Sequence, residues 1–494
     1  MGKRYGPEQT DYQICLEGAA GGEVTGSCID LIMPDDSRIL LDAGLLQGRG
    51  MRNSSGVYRD SLPISKARIN GIRTVLLSHD HGDHAFKIPQ LVKEGFNHRM
   101  YATRATAAFL EPMLYDAAKI QETHEGTDVL YRKEHVAKAL SLIHPVDPFT
   151  QIRIGGKDHD IRAEFIPSGH KIGAASILVT IPANGHVSKT LLDTGDIGPP
   201  WQPLSGGNLR YAKDIPQVPV NTIIMEATKA DCDPISFEEK ISVLLSTINK
   251  VWEGGGNPVF PVLSNPRMSE VLELLIQLQK CGQLPQDCRF IVDAPLGVKI
   301  LDVIKDLGPD YLCTSFGPDN HYYKTPESSQ ARFDSPNLSF IKDHQTSCKT
   351  ATRLAYYPGK FAVLTSGGMC ESGRFGNWTN SDFGDNPNNA VILTCFQAQG
   401  TQGETWKRVG NIDSENRKRA YVEHVPGFTG HASGRELVDY IQRFNLSELE
   451  QIIINHASIP AREALAVRLK NAGIGAQVIL PEIGQRISLY PQDT

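Results

Sequence analysis

The chain lacks the features that would place it in a membrane or an oxidising compartment. Its nine cysteines are scattered and include no Cys-x-x-Cys pair. That pattern excludes a disulfide framework and points to a reducing compartment, with the cysteines serving as small buried apolar residues. No apolar run approaches the roughly 20 residues that cross a bilayer. The opening Met1-Gly2-Lys3-Arg4-Tyr5-Gly6 has no apolar segment of a signal peptide, and Gly6 stands where a myristoylation site needs Ser or Thr. The expected location is the cytoplasm. A bulk excess of positive charge is also missing, since the net charge is -6. A nucleic acid would therefore have to be held by local patches and metal ions.

What is present is the composition of a globular protein with many turns: 40% hydrophobic and 21% charged residues, Gly 45 and Pro 30. A chain of 494 residues is long enough for two or three folding units.

The densest chemistry lies in Ser78-His79-Asp80-His81-Gly82-Asp83-His84. It follows the apolar run Thr74-Val75-Leu76-Leu77, which reads as a buried strand, and precedes residues 85–92, whose apolar spacing is helical despite Pro89. In extended backbone, residues two apart point the same way, so His79 and His81 converge on one point while Asp83 and His84 aim at a neighbouring one. Imidazole and carboxylate are the ligands that first-row divalent metals take.

Along the chain, other apolar runs also end in polar groups. Ile39-Leu40-Leu41 ends in Asp42, which is either a hydrogen-bond acceptor that fixes the histidine loop or a plain turn-former before Gly44. Residues 98–145 read as helix, with His98, His124, His135 and His144 outside any ligand spacing. Residues 161–166 lead as a strand into Ser168-Gly169-His170, a candidate ligand on the same strand-turn-strand pattern. Thr190-Leu191-Leu192 precedes Asp193 and Asp196, of which Asp196 is placed to bridge two metals and Asp193 sits within the strand. A further run ends in Glu226.

Beyond it, helices expected over 238–245 and 269–279 alternate with strands, an α/β pattern. A strand then opens into Ser366-Gly367-Gly368-Met369, with Arg374 just beyond. Such a loop lets backbone approach an anion closely, and Ser and Arg are phosphate-contacting types. Lys407, Arg408, Arg417, Lys418 and Arg419 form the densest basic region, either a solvated face or a guide for a polyanion. Last come His431, before a helix expected over 436–444, and His456, after the strand-like Gln451-Ile452-Ile453-Ile454-Asn455.

Together these residues resemble the metallo-β-lactamase fold, in its β-CASP branch of nucleic-acid-processing nucleases, over nearly the whole chain. Gly18-Ala19-Ala20 and Val24-Thr25-Gly26-Ser27 resemble that branch's opening loop. Asp42 matches the first motif, His79, His81, Asp83 and His84 the second, His170 the third and Asp196 the fourth. Glu226, His431 and His456 fit the motifs lettered A, B and C, while the loop at 366–369 and Gln397-Ala398-Gln399-Gly400-Thr401 resemble the inserted domain. The chain departs at Glu226-Ala227-Thr228, where relatives more often carry Glu-Ser-Thr, which keeps the acid.

The resemblance implies an α/β architecture: a metallo-β-lactamase αββα sandwich over 1–229 and 422–494, with a β-CASP domain inserted at 230–421. It implies a compact catalytic core, without the long tail or KH segment of some relatives. One zinc would be held by His79, His81 and His170, the second by Asp83, His84 and His456, with Asp196 bridging; manganese suits the same ligands. A hydroxide bridged between the two zinc ions would hydrolyse an RNA phosphodiester. His431 would protonate the leaving oxygen, and Glu226 would orient its ring. Ser366, Gly367, Gly368 and Met369 would hold a substrate phosphate. Cleavage would be endonucleolytic, with 5′ exonuclease action as an added mode, and a homodimer is the expected assembly. Three other readings stand beside this one. They are a DNA-directed β-CASP nuclease, a hydrolase of small esters or thioesters, and a non-catalytic RNA-processing subunit. The long insert and the distant His456 count against the second; the retained ligand set counts against the third.

Overall fold

The computed structural model describes residues 11–46, 65–124, 129–155, 160–182, 188–208, 210–308, 311–313, 315–316, 323–324, 331–398, 400–412 and 419–490. Gln399, Arg417, Lys418, the opening six residues and much of 309–330 lie outside them. The chain divides into two compact units. One holds Met1–Pro200, Asn208–Asp233 and His431–Thr494; the other holds Trp201–Gly207 and Pro234–Gly430.

The first unit contains two seven-stranded sheets. One orders its strands Arg486–Ser488, Gln13–Gly18, Cys28–Ile32, Arg38–Leu41, Ile72–Leu76, Met100–Thr103 and Ile143–Val146. The other runs Gln477–Ile479, Gln451–Asn455, Thr222–Glu226, Lys189–Asp193, Ala175–Ile181, Arg162–Pro167 and Ile152–Arg153. Side chains alternate across each strand, and this alternation builds three apolar layers. Ile39, Leu41 and Leu76 from the first sheet meet Phe165, Ile177, Leu191, Ile224 and Ile453 from the second. On its other face the first sheet buries Leu40 and Val75 under Leu110, Leu114 and Val136 of the helices Arg104–His124 and Lys133–Leu142. The second sheet buries Ile223, Met225, Ile452 and Ile454 under Leu437 and Leu465 of the helices Gly434–Ile441 and Ile459–Asn471. Being covered on both faces, these strands read as continuous apolar runs rather than alternating ones. The result is the αββα sandwich, and cutting one Leu or Ile of its central layer to Ala costs about 2–5 kcal/mol.

Two local expectations are corrected. Residues 98–145 are not helix throughout, because Met100–Thr103 and Ile143–Val146 are parallel strands flanking the helices. Met100–Thr103 is mostly buried and Ile143–Val146 is a partly exposed edge strand, and at four residues each neither carries enough alternation to set it apart from helix. The segment 85–92 contains two short helices, Gly82–Ala85 and Ile88–Lys93, with Pro89 in the first turn of the second. Proline there starts a helix instead of breaking it.

In the second unit a six-stranded sheet orders Leu338–Phe340, Arg289–Asp293, Phe361–Ser366, Pro258–Val262, Ala390–Leu393 and Tyr421–His424. All its pairings are parallel. Helices Arg267–Lys280, Pro295–Asp306, His344–Leu354 and Gln402–Val409 lie in the connections between strands, as parallel pairing requires.

Candidate metal centre

All the predicted ligands lie in the first unit, on turns at the C-terminal ends of its strands. The strand Ile72–Leu76 delivers His79 and His81, and the helix Gly82–Ala85 turns Asp83 and His84 toward them. Their atoms gather into two sets. In the first, His79 Nε2 is 3.0 Å from His81 Nδ1, and His170 Nε2 is 3.2 Å from the same atom. Asp196 Oδ2 lies 3.5 Å from both His79 Nε2 and His170 Nε2. In the second, His84 Nε2 faces His456 Nε2 at 3.1 Å, and His456 Nε2 lies 3.5 Å from Asp83 Oδ2. The other oxygen of Asp196, Oδ1, sits 3.3 Å from His84 Nε2. Asp196 thus turns one oxygen to each set.

Hydrogen bonds on the far side of each ring decide which nitrogen faces inward. Asp42 accepts from Ser78 N and Ser78 Oγ, both at 2.7 Å, and from His84 Nδ1 at 2.6 Å. With its own proton given to Asp42, Ser78 Oγ accepts from His79 Nδ1 at 3.0 Å. Thr228 Oγ1 donates to the His456 carbonyl at 3.0 Å and meets His456 Nδ1 at 2.9 Å. His79, His84 and His456 therefore present the lone pair of Nε2 to the interior. Lone pairs at 3.0–3.2 Å repel unless a cation or proton lies between them. Four donors around a tetrahedral ion at about 2.0–2.1 Å stand about 3.3 Å apart, which is the spacing seen. Asp196 Oδ1 makes the same point, since it is buried and accepts no hydrogen bond among the described residues. The donor set fits a pair of divalent cations. Burial holds His79 neutral, the form that ligates.

A third group adjoins these sets. Glu226 Oε1 accepts from Ile197 N at 2.7 Å, and Oε2 accepts from Thr228 N at 3.1 Å. Both oxygens lie 3.0 Å from His431 Nδ1. This fixes the proton of His431 on Nδ1 and leaves Nε2 facing Asp196 Oδ2 at 3.8 Å. The His431 side chain is 20% exposed against 3% for Asp196, so solvent reaches this imidazole. Burial alone would lower its pKa, but Glu226 and then Asp196 outweigh that and raise it to about 9.

Asp193 stays in its strand, accepts from Gly195 N at 3.3 Å and joins neither set. Burial and the nearby Asp42 carboxylate push it up to about 7. Of the other histidines, His98 and His144 are exposed, and His135 accepts from Arg132 N at a helix start. In the second unit, Arg374 Nη1 donates to Asp293 Oδ1 and to the Asp343 carbonyl, both at 2.8 Å. Ser366 Oγ accepts from Arg374 N at 3.0 Å, and Gln397 Nε2 donates to the Gly368 carbonyl at 2.8 Å. Sequence reading did not assign roles to Ser78, Thr228, Asp80 or Lys171. Their only sequence signal is position, each lying within two residues of a ligand or of Glu226.

Three family models match the chain. They are the metallo-beta-lactamase superfamily over residues 24–188, the Beta-Casp domain over 268–405 and the Zn-dependent metallo-hydrolase RNA specificity domain over 416–481. Ribonuclease TTHA0252 of Thermus thermophilus is 28% identical over 439 residues, covering 86% of this chain and 89% of that protein. Probable RNase MJ4 of Methanocaldococcus jannaschii is 27% identical over 489 residues, covering 97% of this chain and 100% of that protein. Transcription termination factor FttA of Cenarchaeum symbiosum is 23% identical, covering 97% of this chain and 72% of that protein. No helix among the described residues is long and apolar enough to cross a membrane. The donor sets on the αββα sandwich and the three matched models agree, and the chain belongs to the metallo-β-lactamase superfamily, in its β-CASP branch.

Proposed function

We propose that the chain is a metal-dependent ribonuclease that hydrolyses RNA phosphodiester bonds in the cytoplasm. The observation that carries this reading is the sharing of Asp196 between two sets of facing donors with His431 alongside. Ribonucleases among its relatives and an RNA specificity model over 416–481 support RNA as the substrate. His79, His81 and His170 would hold one zinc ion and Asp83, His84 and His456 the other, with an oxygen of Asp196 available to each; manganese suits the same atoms. The chemistry such a pair would supply is a more acidic water and charge neutralisation at the phosphate.

The side chains do the rest. Asp42 keeps the Nδ1 proton of His84 turned outward, so Nε2 stays a ligand. Glu226 holds His431 by Nδ1 and stabilises its imidazolium, leaving the Nε2 proton for the departing oxygen. Ser366, Gly367, Gly368 and Met369 hold a backbone phosphate of the RNA. Cleavage is internal, with removal of 5′ nucleotides as a second mode, and the protein assembles as a homodimer.

Metal analysis of the purified protein, followed by product mapping with RNA and DNA labelled at each end, tests the reading. Two equivalents of zinc and internal RNA products are expected. DNA cut as readily as RNA, or products only from small esters, overturns it.

A further inference from the structure

Asp80 and Lys171 form a buried ion pair that the chemistry above does not use. Lys171 Nζ donates to Asp80 Oδ1 at 2.6 Å and to Oδ2 at 2.8 Å. Both side chains are 0% exposed. The same ammonium lies 4.9 Å from the ring centroid of Phe109, a fully buried residue of the helix Arg104–His124. A charged pair in a dry site is costly to desolvate and is weak evidence for stability alone. Its place in the chain is what gives it meaning. Asp80 stands between His79 and His81, at the end of the strand Ile72–Leu76 in the first sheet. Lys171 follows His170, on the turn after Arg162–Pro167 in the second sheet. The pair therefore ties together the two turns that supply all three imidazoles of the first donor set.

Sign matters as much as position. An ammonium next to a ligand turn repels a divalent cation unless a carboxylate cancels it, and in a low-dielectric interior that repulsion is strong. We propose that Asp80 and Lys171 are positioning residues for the first cation: their ion pair locks the His79–His81 turn to the His170 turn and cancels the lysine charge beside that cation. This rests on the reading of His79, His81 and His170 as a cation site. It makes the two partners unequal. Removing Asp80 takes away the carboxylate paired with the ammonium and costs cation affinity twice, through lost order and through repulsion. Removing Lys171 loses order but leaves a carboxylate, which attracts the cation.

The test is a Co2+ titration of the metal-free full-length protein, followed by d–d absorption and equilibrium dialysis, with near-UV circular dichroism as the fold check. The variants are D80N, K171M, K171R and the double D80N/K171M. For D80N, one cation is expected to bind about a hundredfold or more weakly, while the other stays within about threefold of wild type. K171M is expected to lose about tenfold or less, K171R to recover most of that, and the double variant to bind better than D80N. D80N binding both cations as wild type does, or D80N and the double variant losing equally, overturns the proposal. If D80N does not fold, K171M and the double variant carry the test. A double variant that binds worse than K171M by the full hundredfold then overturns it. A wild-type chain whose His79, His81 and His170 bind no cation overturns the site reading along with it.

Discussion

The two units present their strand ends to chemistry in opposite ways. At the strand ends of the first unit, ring nitrogens and a carboxylate oxygen face one another at 3.0–3.5 Å. At the end of the second unit's strand Phe361–Ser366, the polar side chains are already paired. Arg374 is committed to Asp293 and two carbonyls, and Ser366 Oγ accepts the Arg374 N–H. Asp293 also accepts from Trp378 Nε1 at 2.9 Å and from Ser347 Oγ. Unmet acceptors gathered together mark a place for cations. A loop whose side chains are spent internally has only its backbone left for an anion, and that is a weaker and more tolerant kind of grip.

This contrast ranks the effects of substitution. Asp83→Ala removes a donor from the second set, so its cation should leave and RNA cleavage should fall to background, read by metal analysis and a labelled-RNA assay. His431→Ala should keep both cations and lower turnover about 10²–10⁴-fold, the scale of one general acid. Equal metal loss in the two variants would break the division between ligands and proton donor. Asp42→Ala strips the outer hydrogen bonds from Ser78 and His84, and should weaken metal binding about 10–100-fold, measured against a competing chelator. Gly367→Ala probes the other unit. Residue 367 has φ +115, and a Cβ there would lie 2.2 Å from the Ser372 carbonyl, so the loop must distort. RNA affinity of a His431→Ala background, read by fluorescence anisotropy, should fall several-fold. Ser366→Ala should have the smallest effect, because its hydroxyl serves Arg374 N. Unchanged affinity in both loop variants would remove the phosphate role from this loop.

Much of the site was legible because its ligands follow a local rule. Each of His79, His170, Asp196 and His456 comes within three residues of the end of an apolar run that is a strand, so type and placement are read together. The sandwich was legible from resemblance and from continuous apolar strands, but Met100–Thr103 was not, since a four-residue buried strand beside the helix Arg104–His124 shares its composition. The atoms that orient the rings were hidden for a different reason. Ser78 and Thr228 act through single hydrogen bonds, and the partners Asp80 and Lys171 lie far apart in the chain. Neither leaves a periodic trace. Asp42, left open between two roles by spacing, accepts three hydrogen bonds from Ser78 and His84.

The pairing of Gln451–Asn455 with Thr222–Glu226 joins segments 229 residues apart. While the polypeptide is still being made, the second sheet therefore has an open edge, and His456 has not yet emerged from the ribosome. A nascent chain carries three imidazoles of the first donor set long before it can complete the second. On the proposed reading, an enzyme that cuts RNA, made on a machine built of RNA, has an incomplete second donor set until that late strand docks.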